Sequence, residues 1–199
     1  MSTPPSKSTS ASSAALPAPM RSVRTVQDPA YWQALGRFIE DYAGVEILLF
    51  NYVVALSKMN HGIARIFYGK DQTDRLIEFA NQITSANPLD TELQDKTALA
   101  FGQLKKISLV RNYLVHYVSF ETSDKGRIIS NITKVRRGVS VTEYRASVAE
   151  LSQMTADLRR ISHLLVYCLL GITRRATAER AAIAADLSAL DAAWQYTQL

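Results

Sequence analysis

Apolar side chains recur every three or four residues over several long stretches of the chain, the pattern of helices that bury one face. The first stretch opens at Asp28-Pro29, where a capping acid precedes a proline at the first helical position, and continues to about Lys58. We therefore predict a first long helix that packs through an apolar stripe. That stripe comprises Trp32, Leu35, Ile39, Tyr42, Leu49 and Val53.

The same periodicity predicts three more main helices, one short helix and an Ala-rich helix at the end of the chain. A capping box, Ser147 with Glu150, marks the start of the fourth main helix. We expect the first and third main helices to cross. The further helices are predicted within residues 60–69, over about 71–86, over roughly 28 residues from Asp90 or Thr91, from 147 to about 172, and up to about Trp194.

Around Ser119 the pattern changes from helical to alternating and β-branched. Residues 118–121, 127–135 and 139–144 have this character, and turn residues separate them. We predict a small β-hairpin excursion of two or three strands around residues 119–145. The predicted fold class is therefore mainly all-α, a four- to five-helix bundle with one small β excursion.

Two charged residues interrupt the apolar stripes of different helices. Glu46 follows Tyr42 by four residues on the first helix, and Arg111 follows Ile107 by four on the third. A buried charge needs a partner, so we predict that Glu46 lies within hydrogen-bonding reach of Arg111 and orients its guanidinium. The alternative is that Glu46 lies at a stripe edge open to water.

Positive charge is concentrated in one part of the chain. The net charge is +5, and residues 104–145 alone carry nine Lys and Arg against three Asp and Glu. A polyanion would be attracted to this region first, so we predict an RNA-binding surface there; an ordinary solvated surface is the alternative. The predicted RNA-binding residues are Arg127, Lys134, Arg136 and Arg137.

Composition limits the environment and the chemistry. Residues 1–27, rich in Ser, Pro and Ala, are predicted to be a disordered tail, and residues 28–199 the helical domain. An organelle-targeting peptide is the alternative for this basic, acid-poor tail. A single cysteine, Cys168, excludes an intramolecular disulfide and a cysteine-rich zinc site. We expect no membrane span, no metal, no cofactor and a cytoplasmic location.

The stretch most suggestive of chemistry is Arg111-Asn112-Tyr113-Leu114-Val115-His116, late in the third main helix. A guanidinium can bind a phosphate bidentately, an imidazole can move protons near neutral pH, and an amide can position either group. Arg111 and His116 are five residues apart, about 140° around a straight helix. A long side chain, a kink or a second chain would be needed to bring them together.

These six residues resemble the signature of the HEPN superfamily: an arginine, usually followed by Asn, Asp or His, and a histidine four to six residues further on. In that family the signature lies late in the third main helix of a four- or five-helix bundle, as it does here. The resemblance covers roughly residues 29–172, and its specific part is residues 111–116. One departure is that some toxin members carry a tyrosine two residues after the histidine, whereas Tyr117 directly follows His116 here.

Many HEPN proteins are metal-independent endoribonucleases of toxin–antitoxin, abortive-infection or other defence systems, and they are typically dimers with two motifs in one cleft. The resemblance implies that Arg111 and His116 are catalytic, that Asn112 supports them, and that the partners are RNA, a second copy and a cognate antitoxin. Glu46 is the further supporting residue, predicted from the stripe. The competing interpretations are an inactive HEPN-fold binding or dimerisation module and an unrelated helical adaptor. His61 and His163 are interpreted as structural or surface residues.

Overall fold

The computed structural model describes residues 28–69, 72–116, 118–121, 127–130, 143–173, 181–185 and 193–197. The tail predicted over residues 1–27 lies outside the described residues. Within these ranges five helices and three short strands form the bundle and its sheet, and the predicted class, a mainly α-helical bundle with a small sheet, is confirmed. In chain order they are α1 (Pro29–Ser57), α2 (His61–Tyr68), α3 (Thr73–Ala86), α4 (Thr91–His116), β1 (Val118–Glu121), β2 (Arg127–Ser130), β3 (Glu143–Ala146) and α5 (Val148–Thr173).

Helix α1 begins where the sequence predicts. The Asp28 carboxylate accepts hydrogen bonds from the backbone N–H groups of Ala30 and Tyr31, and Pro29 occupies the first helical position without losing a hydrogen bond. The helix ends at Lys58, whose φ of 54° is left-handed, the conformation that commonly stops a helix.

The buried face of α1 differs from the predicted stripe at its beginning. Trp32 is 47% exposed and Ile39 is also exposed, whereas Tyr31 and Phe38 are buried. Tyr31 and Trp32 are adjacent apolar residues, as are Phe38 and Ile39. In both pairs the first residue faces the core and the second faces outwards. The buried residues of α1 are Tyr31, Phe38, Tyr42, Val45, Leu49, Tyr52 and Val53.

Helix α1 packs most extensively against α5, whereas the sequence favoured a crossing with α4, the third main helix predicted above. Helix α5 also packs against α4, and α3 packs against α1. Contact between α1 and α4 is made by long side chains: the Tyr52 ring meets Phe101 edge to face, and its hydroxyl lies 3.1 Å from Thr97 Oγ1. The apolar period identifies which face is buried but does not identify the helix that covers it.

The β excursion is a three-stranded antiparallel sheet in the order β1-β2-β3. Phe120 pairs with Ile128 in the first ladder, and Ile129 pairs with Tyr144 in the second. Ile129 and Ala146 are buried in the helical core, so the sheet is packed onto the bundle. Strand β1 has the predicted bounds, β2 begins at the predicted residue, and β3 continues to Ala146, whereas residues 131–142 lie outside the described part of the chain.

The capping box that opens α5 is confirmed. Ser147 Oγ accepts from the Glu150 backbone N–H, and the Glu150 carboxylate accepts from the Ser147 backbone N–H at 2.7 Å. At the other end of the chain, residues 181–185 are helical but residues 193–197 are not, so the predicted Ala-rich helix does not reach Trp194. Tyr196 is instead completely buried. None of the described helices is long and apolar enough to cross a bilayer.

Candidate functional site

The last two turns of α4 carry the candidate motif. Arg111 and Asn112 are half-buried, whereas His116, the last helical residue, is exposed. The apolar residues of this helix place its earlier turns in the core, from Leu93 to Val110. The motif therefore begins where α4 leaves the core, and it ends at the helix terminus.

The Arg111 guanidinium lies on an aromatic ring supplied by α1. Its central carbon is 5.3 Å from the centroid of the Tyr42 ring, and its Nη1 donates to Asn112 Oδ1 at 3.3 Å. A cation over an aromatic face is attracted by the negative charge of the ring surface. Tyr42 and Asn112 therefore restrict where the arginine fork can point.

A hydrogen-bond chain fixes Tyr42. Thr73 Oγ1 donates to Glu46 Oε1 at 2.9 Å and lies 2.8 Å from the Tyr42 hydroxyl. Because Thr73 has one hydroxyl proton, which it donates to Glu46, the Tyr42 hydroxyl must be the donor in the other bond. The chain runs from α1 to the first residue of α3 and back to α1.

The electrostatics of Tyr42 favour its neutral form. Burial raises the pKa of the phenol above its ordinary value; Ser108 and the nearby Arg111 charge act in the opposite direction without offsetting it. Because burial dominates, the phenol keeps its proton at neutral pH and remains a donor to Thr73. Ser108 belongs to α4, so Tyr42 joins three helices directly beneath Arg111.

The predicted direct hydrogen bond between Glu46 and Arg111 is not formed. Glu46 is half-buried and bonds Thr73, and no hydrogen bond or ion pair joins it to Arg111 among the described contacts. The pair of stripe charges is instead connected through Tyr42 and Thr73. Glu46 and Arg111 are both only half-buried. The Thr73 hydroxyl stabilises Glu46 and the Tyr42 ring stabilises Arg111, so the two charges do not need to pair directly.

Within the described residues, no hydrogen bond joins Arg111 to His116, in agreement with their five-residue separation around the helix. The structure thus brings Arg111 and Asn112 together and leaves His116 at the exposed end. Within one chain, Arg111 and His116 therefore lie on different faces of the helix.

Tyr113 supports the motif from another side, a role that the sequence pattern does not indicate. Its ring centroid lies 6.1 Å from that of Tyr144 on β3, in a tilted arrangement. The sequence pattern likewise does not indicate Tyr42 as the partner of Arg111, or Thr73 as the residue that connects Tyr42 to Glu46. Tyr42 could have been suspected, because it shares a stripe with Glu46, but nothing in the sequence singles out Thr73.

The structure changes the interpretation of the predicted RNA-binding residues. Arg127 is only 8% exposed, and its guanidinium lies 4.8 Å from the ring centroids of both Tyr31 and Trp32. It therefore holds β2 against the beginning of α1, and its prediction as a surface cation is wrong. Lys134, Arg136 and Arg137 lie outside the described residues.

Among the described contacts, neither His61 nor His163 forms a hydrogen bond or ion pair with a charged side chain. His61 packs edge to face on Phe50, with ring centroids 5.4 Å apart. His163 is half-buried on α5, and its Nδ1 makes no hydrogen bond. Among the described residues, no cluster of three or more His, Cys, Asp or Glu has an arrangement suited to holding a metal ion.

No family model, no curated protein and no solved structure matches this chain significantly. The functional interpretation therefore depends on the motif and on the geometry around it.

Removing the contact between Arg111 and Tyr42 should reveal an energetic coupling. We expect a double-mutant cycle of Tyr42→Leu and Arg111→Gln to give a coupling of about 0.5–2 kcal/mol in the free energy of unfolding, because the partly desolvated cation loses its aromatic face. Chemical denaturation of the four proteins measures it. A matched cycle of Tyr42→Leu with Lys105→Gln, an exposed cation on the same helix, should be additive. Additivity in both cycles would contradict the support of Arg111 by Tyr42.

Proposed function

We propose that this protein is a metal-independent endoribonuclease of the HEPN type. The observation that carries the proposal is the arrangement at the end of α4: Arg111 is held on the Tyr42 ring beside Asn112, and His116 is exposed one turn further on. An oriented arginine fork suits a phosphodiester, and an accessible imidazole suits proton transfer from a ribose hydroxyl.

The chemistry assigned to these residues is transfer of a phosphodiester to the neighbouring ribose hydroxyl. His116 accepts the proton of the 2′-hydroxyl as its oxygen attacks phosphorus, and Arg111 neutralises the charge that grows on the non-bridging oxygens. The bond from phosphorus to the 5′-oxygen breaks. That oxygen takes up a proton from the His116 imidazolium, of the same or of the second copy. The products are a 2′,3′-cyclic phosphate and a 5′-hydroxyl. Asn112 keeps the arginine fork oriented.

A second copy of the chain would complete this site. Arg111 and His116 diverge on one helix, and two exposed helix ends meeting across a symmetry axis would place the histidine of one copy near the arginine of the other. The resemblance to HEPN proteins, which typically pair two motifs in one cleft, supports this homodimer. It also supports a cytoplasmic role in a toxin–antitoxin or other defence system, with RNA as the substrate and a cognate antitoxin as a further partner.

The second candidate function is an inactive HEPN-fold binding or dimerisation module. The observation that favours it is that Arg111 already has two partners within its own chain, Tyr42 and Asn112, and no bond to His116 among the described contacts. An arginine used this way stabilises the fold without taking part in catalysis. A cleavage assay with defined products distinguishes the two candidates.

Cleavage of a single-stranded RNA should continue in EDTA and should leave a 2′,3′-cyclic phosphate, because the proposed groups need no Lewis acid. Mass spectrometry of the 3′ ends identifies the product, and a parallel reaction with added Mg²⁺ is the control. Loss of cleavage on chelation with recovery on adding a divalent ion would refute this mechanism.

Two substitutions in the motif should separate chemistry from stability. We expect His116→Ala to lower the cleavage rate by about a hundredfold or more, since general acid–base catalysis typically contributes that much, while the free energy of unfolding changes by less than about 0.5 kcal/mol. Val115→Ala is the matched control, because Val115 is the neighbouring residue and is 50% exposed. Arg111→Lys should also lower the rate, since lysine keeps the charge but loses the planar fork. Unchanged rates in His116→Ala would remove this residue from the chemistry.

RNA affinity should depend steeply on salt and on the basic residues of the β excursion, because binding of cations to phosphates releases counterions. The joint change Lys134→Gln, Arg136→Gln and Arg137→Gln should reduce the slope of log affinity against log salt by about 0.7 for each phosphate of a single strand that the variant no longer neutralises. Filter binding across a salt series measures it.

The control for this experiment removes three exposed cations elsewhere, Arg37, Arg65 and Lys105, by the same Gln substitutions. Equal reductions of the slope in the two triple variants would show that only net charge matters. An unchanged slope in the first variant would mean that this part of the excursion does not contact RNA.

A further inference from the structure

The segment of residues 193–197 is held by side chains from three elements of the fold. Gln103 of α4, Asp157 of α5 and Tyr144 of β3 all hydrogen-bond to it, directly or through its side chains. Tyr196, the fourth of the five residues, is 0% exposed. A non-helical piece of chain is thus inserted into a cleft that the bundle and the sheet form together.

Two buried polar side chains contact the main chain of this segment. Asp157 Oδ1 accepts from the Gln195 N–H, and its Oδ2 accepts from the Tyr196 N–H, both at 2.9 Å. The Gln103 amide nitrogen donates to the Tyr196 carbonyl and to Asp157 Oδ2, both at 2.8 Å. One residue of the segment, Tyr196, therefore has both its N–H and its C=O paired with buried side chains.

This polar pair would be unfavourable in an empty cleft. Asp157 and Gln103 are each 2% exposed, and without the segment Asp157 would keep only the bond from Gln103 among its described hydrogen bonds. A buried carboxylate that loses its donors carries a large desolvation cost. The pair is therefore arranged to bind a bent piece of backbone whose consecutive N–H groups converge on one carboxylate, because an ordinary core contact at this place would use apolar residues.

Side chains at alternate positions of the segment add selectivity. The centroid of the Trp194 ring lies 4.3 Å from the central carbon of the Arg160 guanidinium. The Tyr196 hydroxyl is 3.0 Å from the Tyr144 hydroxyl. Main-chain hydrogen bonds that give affinity, together with side-chain contacts that give specificity, are a recurring way in which proteins bind peptides. Burial raises the pKa of both tyrosines, so their hydroxyl–hydroxyl bond persists well above neutral pH.

The cleft is connected to the candidate motif by one aromatic contact. Tyr144 bonds Tyr196 with its hydroxyl and packs its ring on Tyr113, the third residue of the motif. We propose that the cleft between α4, α5 and β3 is a binding site for a Trp-x-Tyr peptide that bends at its middle residue, that residues 193–197 are its resident ligand, and that their binding sets the position of Tyr113 through Tyr144. The proposal does not depend on the protein being a ribonuclease.

Two substitutions at one exposed position test whether the segment behaves as a bound ligand. Gln195→Pro removes the N–H that Asp157 accepts, whereas Gln195→Ala keeps that N–H and shortens only the exposed side chain. In the full chain, we expect Gln195→Pro to lower the hydrogen-exchange protection of the Tyr196 amide by roughly ten- to a hundredfold while the amides of Leu104 and Ile107 keep theirs. Gln195→Ala should leave all three unchanged.

The connection to the motif is measured in the same two proteins. The Tyr113 ring resonance should shift in Gln195→Pro and should not shift in Gln195→Ala, because only the former releases Tyr196 from Tyr144. Loss of protection throughout the core in Gln195→Pro would overturn the proposal, since the segment would then be an inseparable part of the core. Unchanged Tyr196 protection, or an unchanged Tyr113 resonance, would overturn it equally.

A peptide added in trans completes the test. The synthetic pentapeptide Ala-Trp-Gln-Tyr-Thr, which repeats residues 193–197, should bind the full-length Gln195→Pro protein and restore the Tyr113 resonance. The same peptide with proline in place of its glutamine should bind about tenfold more weakly or worse, because it lacks one of the two N–H groups that Asp157 accepts. Failure of the first peptide to bind, or equal binding of both peptides, would refute recognition through Asp157.

Discussion

Burial of Tyr42 at the junction of three helices is the interaction on which the candidate site depends. The phenol belongs to α1, bonds Thr73 at the start of α3, and interacts with Ser108 and Arg111 on α4. A buried hydroxyl without partners would be costly, so these hydrogen bonds determine how the three helices meet. The orientation of Arg111 is a consequence of that packing, because the ring that supports the guanidinium cannot move without breaking the hydrogen bonds to its hydroxyl.

Local signals in the sequence predicted the elements well. The cap at Asp28-Pro29 and the capping box at Ser147 both depend on residues within one turn of each other, and the structure confirms both. Signals of long range were weaker: the apolar stripes did not reveal that α1 packs chiefly on α5. For the site, the sequence singled out Arg111, Asn112 and His116, but the partner of Arg111 is an aromatic ring and not Glu46. A charge on a stripe indicates that something must compensate for its burial, and it does not identify the compensating group.

Arg127 shows the same limit for charge patterning. Counting cations places it in the basic region of the chain, yet the fold inserts it between two aromatic rings at the beginning of α1. An arginine can be removed from water by stacking, because its flat, weakly hydrated guanidinium packs well on rings. Arg160 over Trp194 and Arg111 over Tyr42 are further examples in this molecule. These arginines therefore contribute to packing, and net charge overstates the cationic surface available to a polyanion.

The end of α4 is divided into a supported part and an exposed part. Tyr42 supports Arg111 from α1, and Tyr144 supports Tyr113 from the sheet, which is itself linked to the buried Tyr196. Beyond these residues Val115 and His116 are exposed. Aromatic contacts at residues 111 and 113 fix the helix end in position and rotation, so His116 cannot turn towards Arg111 without disturbing both. Cooperation between these two residues therefore requires a second copy or an RNA that spans them, and this constraint separates a dimeric nuclease from a chain whose arginine serves the fold alone.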